Sequence, residues 1–378
     1  MTLICDTTNA RSAHALVIGI GAYPWLIGGD QPTFAQHGGM DQLTSAPASA
    51  RAFASWFLTE FSHPELTDRT LDLLLADAAA DTFDGGNGPV QVERATMANV
   101  RQAVHRWVAR GDADEDSLLL FFFCGHGLGK GKQTVLLMED FGSLPGPQSL
   151  TVAMDFDGFL MGMDQCAARR QCYFVDACRV GTPFALNTLN YFGDPVMVPA
   201  AKISNRVRSA PVFYSAVPGT AAYGRKEQPS FFTASLLNAF KGAGADDNTG
   251  TWRVETDILH RGIRVHLKRA VGNTAASGQL SLTDGLADSF ALHELKVDPV
   301  VPVEVTCNPD MYNSTAQLSV SGGAAPLQLP AVPTGSWQLD LALGTYRFEV
   351  ALPAPAGAVA PIDRPVRPPQ QRIEVHVP

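Results

Sequence analysis

The sequence predicts an α/β domain built on a mostly parallel sheet, followed by a small all-β domain. Three observations carry this. Apolar runs without alternation recur through the first three-quarters of the chain, amphipathic helical segments separate them, and the pattern changes near Val297. Strands buried on both faces read as continuous apolar runs, and helices between them imply parallel pairing.

Taken in order, the first strand covers 15–20 and ends in Gly19-Ile-Gly21. A helix over 46–61 follows, with Pro47 in its first turn and Phe53, Trp56, Phe57 and Phe61 on one face. A strand over 70–75 leads into a glycine-rich loop at 84–89. Thr96 is placed to cap a helix whose Val100, Val104, Trp107 and Val108 recur at helical spacing. The acidic loop 111–116 then leads into the strand Leu118-Leu-Leu-Phe-Phe-Phe-Cys124. A helix over 158–170 precedes a strand over 172–176, and another strand covers 211–216. Helices over 230–240, ending at Gly242, and over 256–271 follow, with a closing strand over 289–295. From Val297 the chain is rich in Pro, Val and Leu, and stretches such as 337–343 and 346–350 alternate. That pattern predicts a β-sandwich with a Pro-rich tail at 361–369, giving domains over 1–296 and 297–378.

Composition excludes several function classes. Hydrophobic residues make up 46% and charged residues 17%, as in a globular protein with a sizeable core. The net charge is -9 and the Lys and Arg residues are scattered, so no nucleic-acid partner is expected. No apolar run approaches a membrane span and no signal-peptide pattern opens the chain, so a cytoplasmic address and no membrane partner are expected. Six dispersed cysteines form no disulfide framework and lack zinc-ligand spacing. Asp155 and Asp157 build no calcium loop, and Gly19-Ile-Gly21 lacks the third glycine of a dinucleotide fingerprint. No metal and no cofactor are expected.

Chemistry concentrates in two segments. The strand ending at Cys124 empties into Gly125-His-Gly127, and the strand 172–176 ends in Asp176-Ala-Cys178. In a parallel sheet both emerge at the carboxyl edge, where ligands bind. A thiol becomes a good nucleophile only as a thiolate, and a nearby imidazole can take its proton. Cys178 is therefore the candidate nucleophile and His126 the candidate base. The glycines beside His126 let a substrate carbonyl approach the backbone. The N–H groups of Gly127 and Cys178 are candidate oxyanion donors, worth about 2.7–4 kcal/mol each in comparable sites. Alone, either residue is as readily a buried thiol or a solvated imidazole; the pair, with His about 50 residues before Cys, points to catalysis.

The chain resembles the caspase-like cysteine peptidases, and the bacterial and metacaspase-type members more than the animal caspases. Phe123-Cys-Gly-His-Gly127 and Val175-Asp-Ala-Cys178 match the two catalytic motifs. The strand Ala15-Leu-Val-Ile-Gly-Ile20, the segment Val212-Phe-Tyr-Ser-Ala-Val-Pro-Gly219 with Ala222-Tyr223, and the helix start Ser230-Phe-Phe-Thr233 fall in the family's order. The resemblance covers about 13–295. It implies a three-layer sandwich around a six-stranded, mainly parallel sheet, a Cys–His dyad, and endopeptidase action on protein or peptide substrates. It also implies a substrate cleft lined by Asp176, Ser215 and Ala216, and it suggests a bacterial stress, cell-death or antiviral pathway.

The departures matter. Asp176 stands where animal caspases carry Gln, and it matches the acidic pocket residue of members that cut after Arg or Lys. A second pocket carboxylate of those members is missing, because the matching segment is Ala48-Ser-Ala50. The resemblance thus implies cleavage after a basic residue, while a structural carboxylate that caps a helix or orients the loop is the alternative for Asp176. In the family the stretch 187–208 often holds a processing linker; Lys202, Arg206 and Arg208 would suit self-cleavage or an activating protease, against an ordinary surface loop. The C-terminal domain would bind a partner or restrain activity. Two other functions stay open: a caspase-like binding scaffold whose dyad is unused, and a cysteine hydrolase of small acyl or amide substrates.

Overall fold

The computed structural model describes residues 3–7, 11–33, 39–86, 88–181, 193–198, 208–247, 250–272, 274–285, 288–353 and 358–378. The chain forms two compact units, Met1–Leu237 with Val271–Phe290, and Asn238–Ala270 with Ala291–Pro378.

The first unit is organised by one sheet. Its centre is five parallel strands in the spatial order Arg69–Ala76, Ala13–Ile20, Leu118–Cys124, Arg170–Asp176 and Val212–Tyr214. These strands are buried almost throughout, which is why their apolar runs do not alternate. Leu3–Thr7 adds an antiparallel edge beside Arg69–Ala76, and Leu282–Asp284 closes the far side antiparallel to Val212–Tyr214. The short strand Glu93–Arg94 pairs with Arg69–Ala76, making eight strands where six are implied by the resemblance. The expected closing strand over 289–295 lies elsewhere. Its residues Ala291–Glu294 pair with Arg253–Glu255 in the second unit, and the short, half-exposed Leu282–Asp284 takes the edge instead. A three-residue edge strand buries too little to leave an apolar run in the sequence.

Helices cover both faces. Phe53 of the helix Ser45–Thr59 stacks on Phe122 at 4.6 Å between ring centroids and lies 5.6 Å from Phe174. The neighbouring Phe121 and Tyr173 turn to the opposite face. There they meet Trp107 of the helix Met97–Gly111 and Phe156 and Phe159 of the helix Phe156–Gly162. Thr96 caps its helix as expected, its side chain accepting from Asn99 N–H at 3.4 Å. The expected helix over 158–170 is shorter: it ends at Gly162, a 3-10 turn spans Met163–Gln165, and the next strand begins at Arg170. A small antiparallel sheet absent from the sequence reading joins Gly127–Lys130, Gln133–Leu137 and Ala153–Asp155. Its glycine- and lysine-rich turn hides the strand pattern.

In the second unit, Trp337–Ala342, Val300–Asn308 and Gln371–His376 form one sheet. Leu327–Leu329, Gln317–Ser321, Gly344–Ala351 and Ile362–Val366 form another, and both sheets contribute to a core that includes Val303, Leu318, Trp337 and Phe348. The units do not divide linearly at residue 297: most of the helix Thr256–Val271 groups with these strands. Within this unit Gly242 adopts φ 152°, and a Cβ there would meet the backbone N of Val300 at 2.6 Å. Among the described residues, no helix is long and apolar enough to cross a membrane.

Phe122 is fully buried between sheet and helix. Phe122→Ala is expected to destabilise the protein by about 3–5 kcal/mol, measured by urea unfolding.

Candidate active site

The site follows from strand register. Leu118–Cys124 and Arg170–Asp176 run parallel, with Cys124 opposite Asp176. The same offset reappears beyond the sheet, where Leu128 bridges Val180. His126 and Cys178 fall midway between these two pairs, side by side on neighbouring strand extensions. The Gly125 N–H donates to Asp176 O at 3.3 Å and the Gly129 N–H to Val180 O at 3.0 Å. Between them, among the described residues, no such bond joins the Gly127 N–H to Cys178 O, and the Cys178 N–H likewise has no backbone partner. The Cys178 N–H is thus left over at the seam among the described residues. The glycines keep the seam closed. A Cβ on Gly127 would lie 2.5 Å from Cys178 O, and one on Gly129 2.2 Å from Arg179 O.

His126 is half-buried and held from three sides. Its Nε2 lies 2.7 Å from Asp41 O. A carbonyl only accepts, so Nε2 carries the hydrogen of the neutral ring and Nδ1 is left with the lone pair. The Tyr23 ring packs 4.8 Å from the imidazole. The buried Tyr23 hydroxyl accepts from the His126 N–H at 2.9 Å and donates to Leu137 O at 3.2 Å, standing in for a direct ladder bond. Gln42 closes the ring, its Oε1 accepting from the Tyr23 N–H at 2.7 Å and its Nε2 donating to Tyr23 O at 3.0 Å. Burial lowers the pKa of His126 despite the Asp41 carbonyl.

Cys178 is also half-buried, and burial raises its pKa. Its Sγ contacts the Ala222 backbone, donating to Ala222 O at 3.5 Å and accepting from the Ala222 N–H at 3.3 Å. Among the described residues no hydrogen bond joins Sγ to the imidazole. Both shifts favour the neutral forms, thiol and imidazole.

The other expected residues are placed differently. Asp176 is buried; its Oδ2 accepts from Thr233 Oγ1 at 2.7 Å and from Ser230 Oγ. Burial raises its pKa, against the opposing pull of these hydroxyls. Ser215 and Ala216 are fully buried. The Ser215 hydroxyl donates to Ala177 O at 3.3 Å and its carbonyl accepts from Gln279 Nε2 at 3.0 Å, so it braces the chain beneath the thiol. Arg208 donates to Met163 O and pairs with Asp164. Lys202 and Arg206 lie outside the described residues. Among the described residues, no group of three His, Cys, Asp or Glu side chains is placed to hold a metal ion.

Sequence reading misses Tyr23, Asp41, Gln42 and Arg179. Asp41 acts through its backbone, which leaves no trace in residue type. Arg179 is buried behind Cys178, donating from Nε to Thr134 Oγ1 at 3.0 Å and from Nη2 to Lys132 O at 2.9 Å. Its position after Cys178 was a readable signal.

The family model for the caspase domain matches residues 12–265. An uncharacterized protein of Sinorhizobium fredii is 25% identical over 315 residues, covering 75% of this chain and 86% of that protein. Among solved structures, caspase-1 from Spodoptera frugiperda aligns with a TM-score of 0.45 at 11% identity, over 77% of this chain and 93% of that one. A protein from Geobacter sulfurreducens aligns with a TM-score of 0.44 at 15% identity, over 76% and 98%.

Two measurements follow. With His126 neutral in the fold, its contribution to stability is present above the free-imidazole value of 6.5 and is lost as pH falls below it. Cys178 alkylation by iodoacetamide, mapped by mass spectrometry, is expected to have a midpoint above that of a free thiol run alongside; a midpoint near neutrality would show a resting ion pair instead. Tyr23→Phe removes the bridge between two buried backbone groups, and thermal unfolding is expected to reveal a loss of about 1–3 kcal/mol.

Proposed function

Because the chain belongs to the caspase domain family, we propose that it is a cysteine endopeptidase with Cys178 as nucleophile and His126 as general base. Members of that family are cysteine peptidases. The observation that carries the reading is the shared register that sets residues 126 and 178 side by side beyond the sheet edge.

The chemistry runs as follows. Nδ1 of His126 takes the thiol proton, and the thiolate attacks the scissile carbonyl carbon. The N–H groups of Gly127 and Cys178 meet the charge that develops on oxygen. Collapse expels the amine, which takes the proton from the imidazolium and leaves a thioester. A water then gives its proton to Nδ1, attacks the thioester, and releases the acid as the thiol re-forms. Asp41 O, receiving the Nε2 hydrogen, keeps the ring in the tautomer this requires and stabilises its protonated form.

Cleavage after Arg or Lys is the specificity we infer. Asp176 is a buried carboxylate two residues before the nucleophile, and among the described residues no basic side chain pairs with it. A basic side chain entering beside it would supply the missing countercharge. A non-catalytic scaffold is the second reading, favoured by one observation: the thiol is bonded to Ala222 and not to His126.

Fluorogenic peptides varying P1 across Arg, Lys, Asp and Ala test this, with self-cleavage followed on gels. Wild type is expected to cut after Arg and Lys, and Cys178→Ala to be inert. His126→Ala is expected to lose about 10²–10⁴-fold in kcat/KM. Asp176→Asn is expected to lose about a hundredfold toward Arg peptides while leaving the iodoacetamide reactivity of Cys178 in place. Silence toward every peptide, with no self-cleavage, would favour the scaffold.

A further inference from the structure

Cys178 Sγ rests on a loop whose two ends are joined by one side chain. At the far end of that loop both polar groups of the Ala222 backbone touch the sulfur, the N–H at 3.3 Å and the carbonyl at 3.5 Å. At its near end the Ser215 N–H donates to Val175 O at 2.9 Å, and the Ser215 hydroxyl donates to Ala177 O at 3.3 Å. The loop from Ser215 to Tyr223 thus grips the chain just before Cys178 with one end and the sulfur itself with the other.

Gln279 joins the ends. It is buried, its Nε2 donates to Ser215 O at 3.0 Å, and its Oε1 accepts from the Tyr223 N–H at 3.2 Å. Neither that carbonyl nor that N–H has a backbone partner among the described residues. Backbone groups taken out of water need partners, and a side-chain amide offers a donor and an acceptor at once. An ionised carboxylate only accepts and an ammonium only donates, so neither could close both ends. The partners also fix which way round the amide lies, because a carbonyl cannot donate and an N–H cannot accept. Gln279 is itself anchored. Its N–H donates to Ala276 O at 2.8 Å, and two residues later the Ser281 hydroxyl donates to Tyr214 O at 2.9 Å.

The effect on the sulfur has a definite sign. Burial favours the thiol, whereas an N–H donated to sulfur favours the thiolate, and the Ala222 N–H acts in that second sense. Ala222 adjoins Tyr223, the residue that Gln279 holds, so release of the clasp would let this N–H draw away from Sγ.

We propose that Gln279 is a positioning residue: by clasping Ser215 to Tyr223 it keeps the Ala222 N–H against Sγ and so sets how readily Cys178 ionises. The consequence for turnover rests on Cys178 being the nucleophile; the effect on the thiol does not.

The test is the pH dependence of Cys178 alkylation by iodoacetamide in the full chain, followed at Cys178 by mass spectrometry. Gln279→Met keeps the length of the side chain and loses both bonds. Gln279→Asn keeps the amide but is too short to reach both partners. Each is expected to raise the alkylation midpoint by about half a pH unit or more. Val100→Ala, in the buried face of the helix Met97–Gly111, controls for lost stability. It is expected to lower the unfolding temperature and leave the midpoint in place. An unmoved midpoint in folded Gln279 variants overturns the proposal, and so does an equal shift in Val100→Ala. If Gln279→Met does not fold, Gln279→Asn decides. Where peptides are cut, both Gln279 variants are expected to lower kcat about tenfold with KM little changed. A raised KM with kcat unchanged would place Gln279 in substrate binding and overturn the positioning role. In a chain that cuts no peptide the alkylation midpoints alone decide, so failure of the clasp and failure of the peptidase reading are told apart.

Discussion

The parallel pairing of Leu118–Cys124 with Arg170–Asp176 is the constraint on which the rest depends. Each strand is buried on both faces, so sliding one against the other would cost the core its packing. Aromatic side chains lock the pairing from both sides: Phe122 and Phe174 beneath Phe53, and Phe121 and Tyr173 against Phe156 and Phe159. A one-residue slip would exchange these faces. The register at Cys124 and Asp176 then propagates to Leu128 and Val180, and the two chemical residues inherit it.

The sheet supplies proximity, and loops supply state. The segment holding Tyr23, Asp41 and Gln42 fixes the tautomer and tilt of His126 through main-chain groups and one hydroxyl. Ala222 holds the thiol, and Ser215 and Gln279 support the chain behind it. The fold subsidises this arrangement with its core, for none of these contacts buries much apolar area. Burial shifts both groups toward their neutral forms.

Much of this was legible in the residues. Non-alternating apolar runs located the five central strands, and Gly125-His-Gly127 and Asp176-Ala-Cys178 marked where two of them end. What escaped was encoded weakly. Leu282–Asp284 is three residues of mixed polarity, and its edge position was read onto 289–295 instead. The strands after His126 were masked by glycine and lysine. Asp41 contributes only a carbonyl, which every residue owns, so no spacing could reveal it. Asp176 illustrates the opposite case: its residue type suggested a pocket, but its engagement by Ser230 and Thr233 depends on a helix start 54 positions away.

The glycine seam has a consequence for how such a site can diversify. Because Gly127 and Gly129 let one backbone rest directly on the carbonyls of Cys178 and Arg179, the gap between residues 126 and 178 is gauged largely by main chain. Among the hydrogen bonds described, side chains of the surrounding loops enter that gauge through the Tyr23 hydroxyl, which bridges the His126 N–H and Leu137 O. Other side chains on those loops are free to change in size, charge and number, while the spacing of residues 126 and 178 carries over untouched.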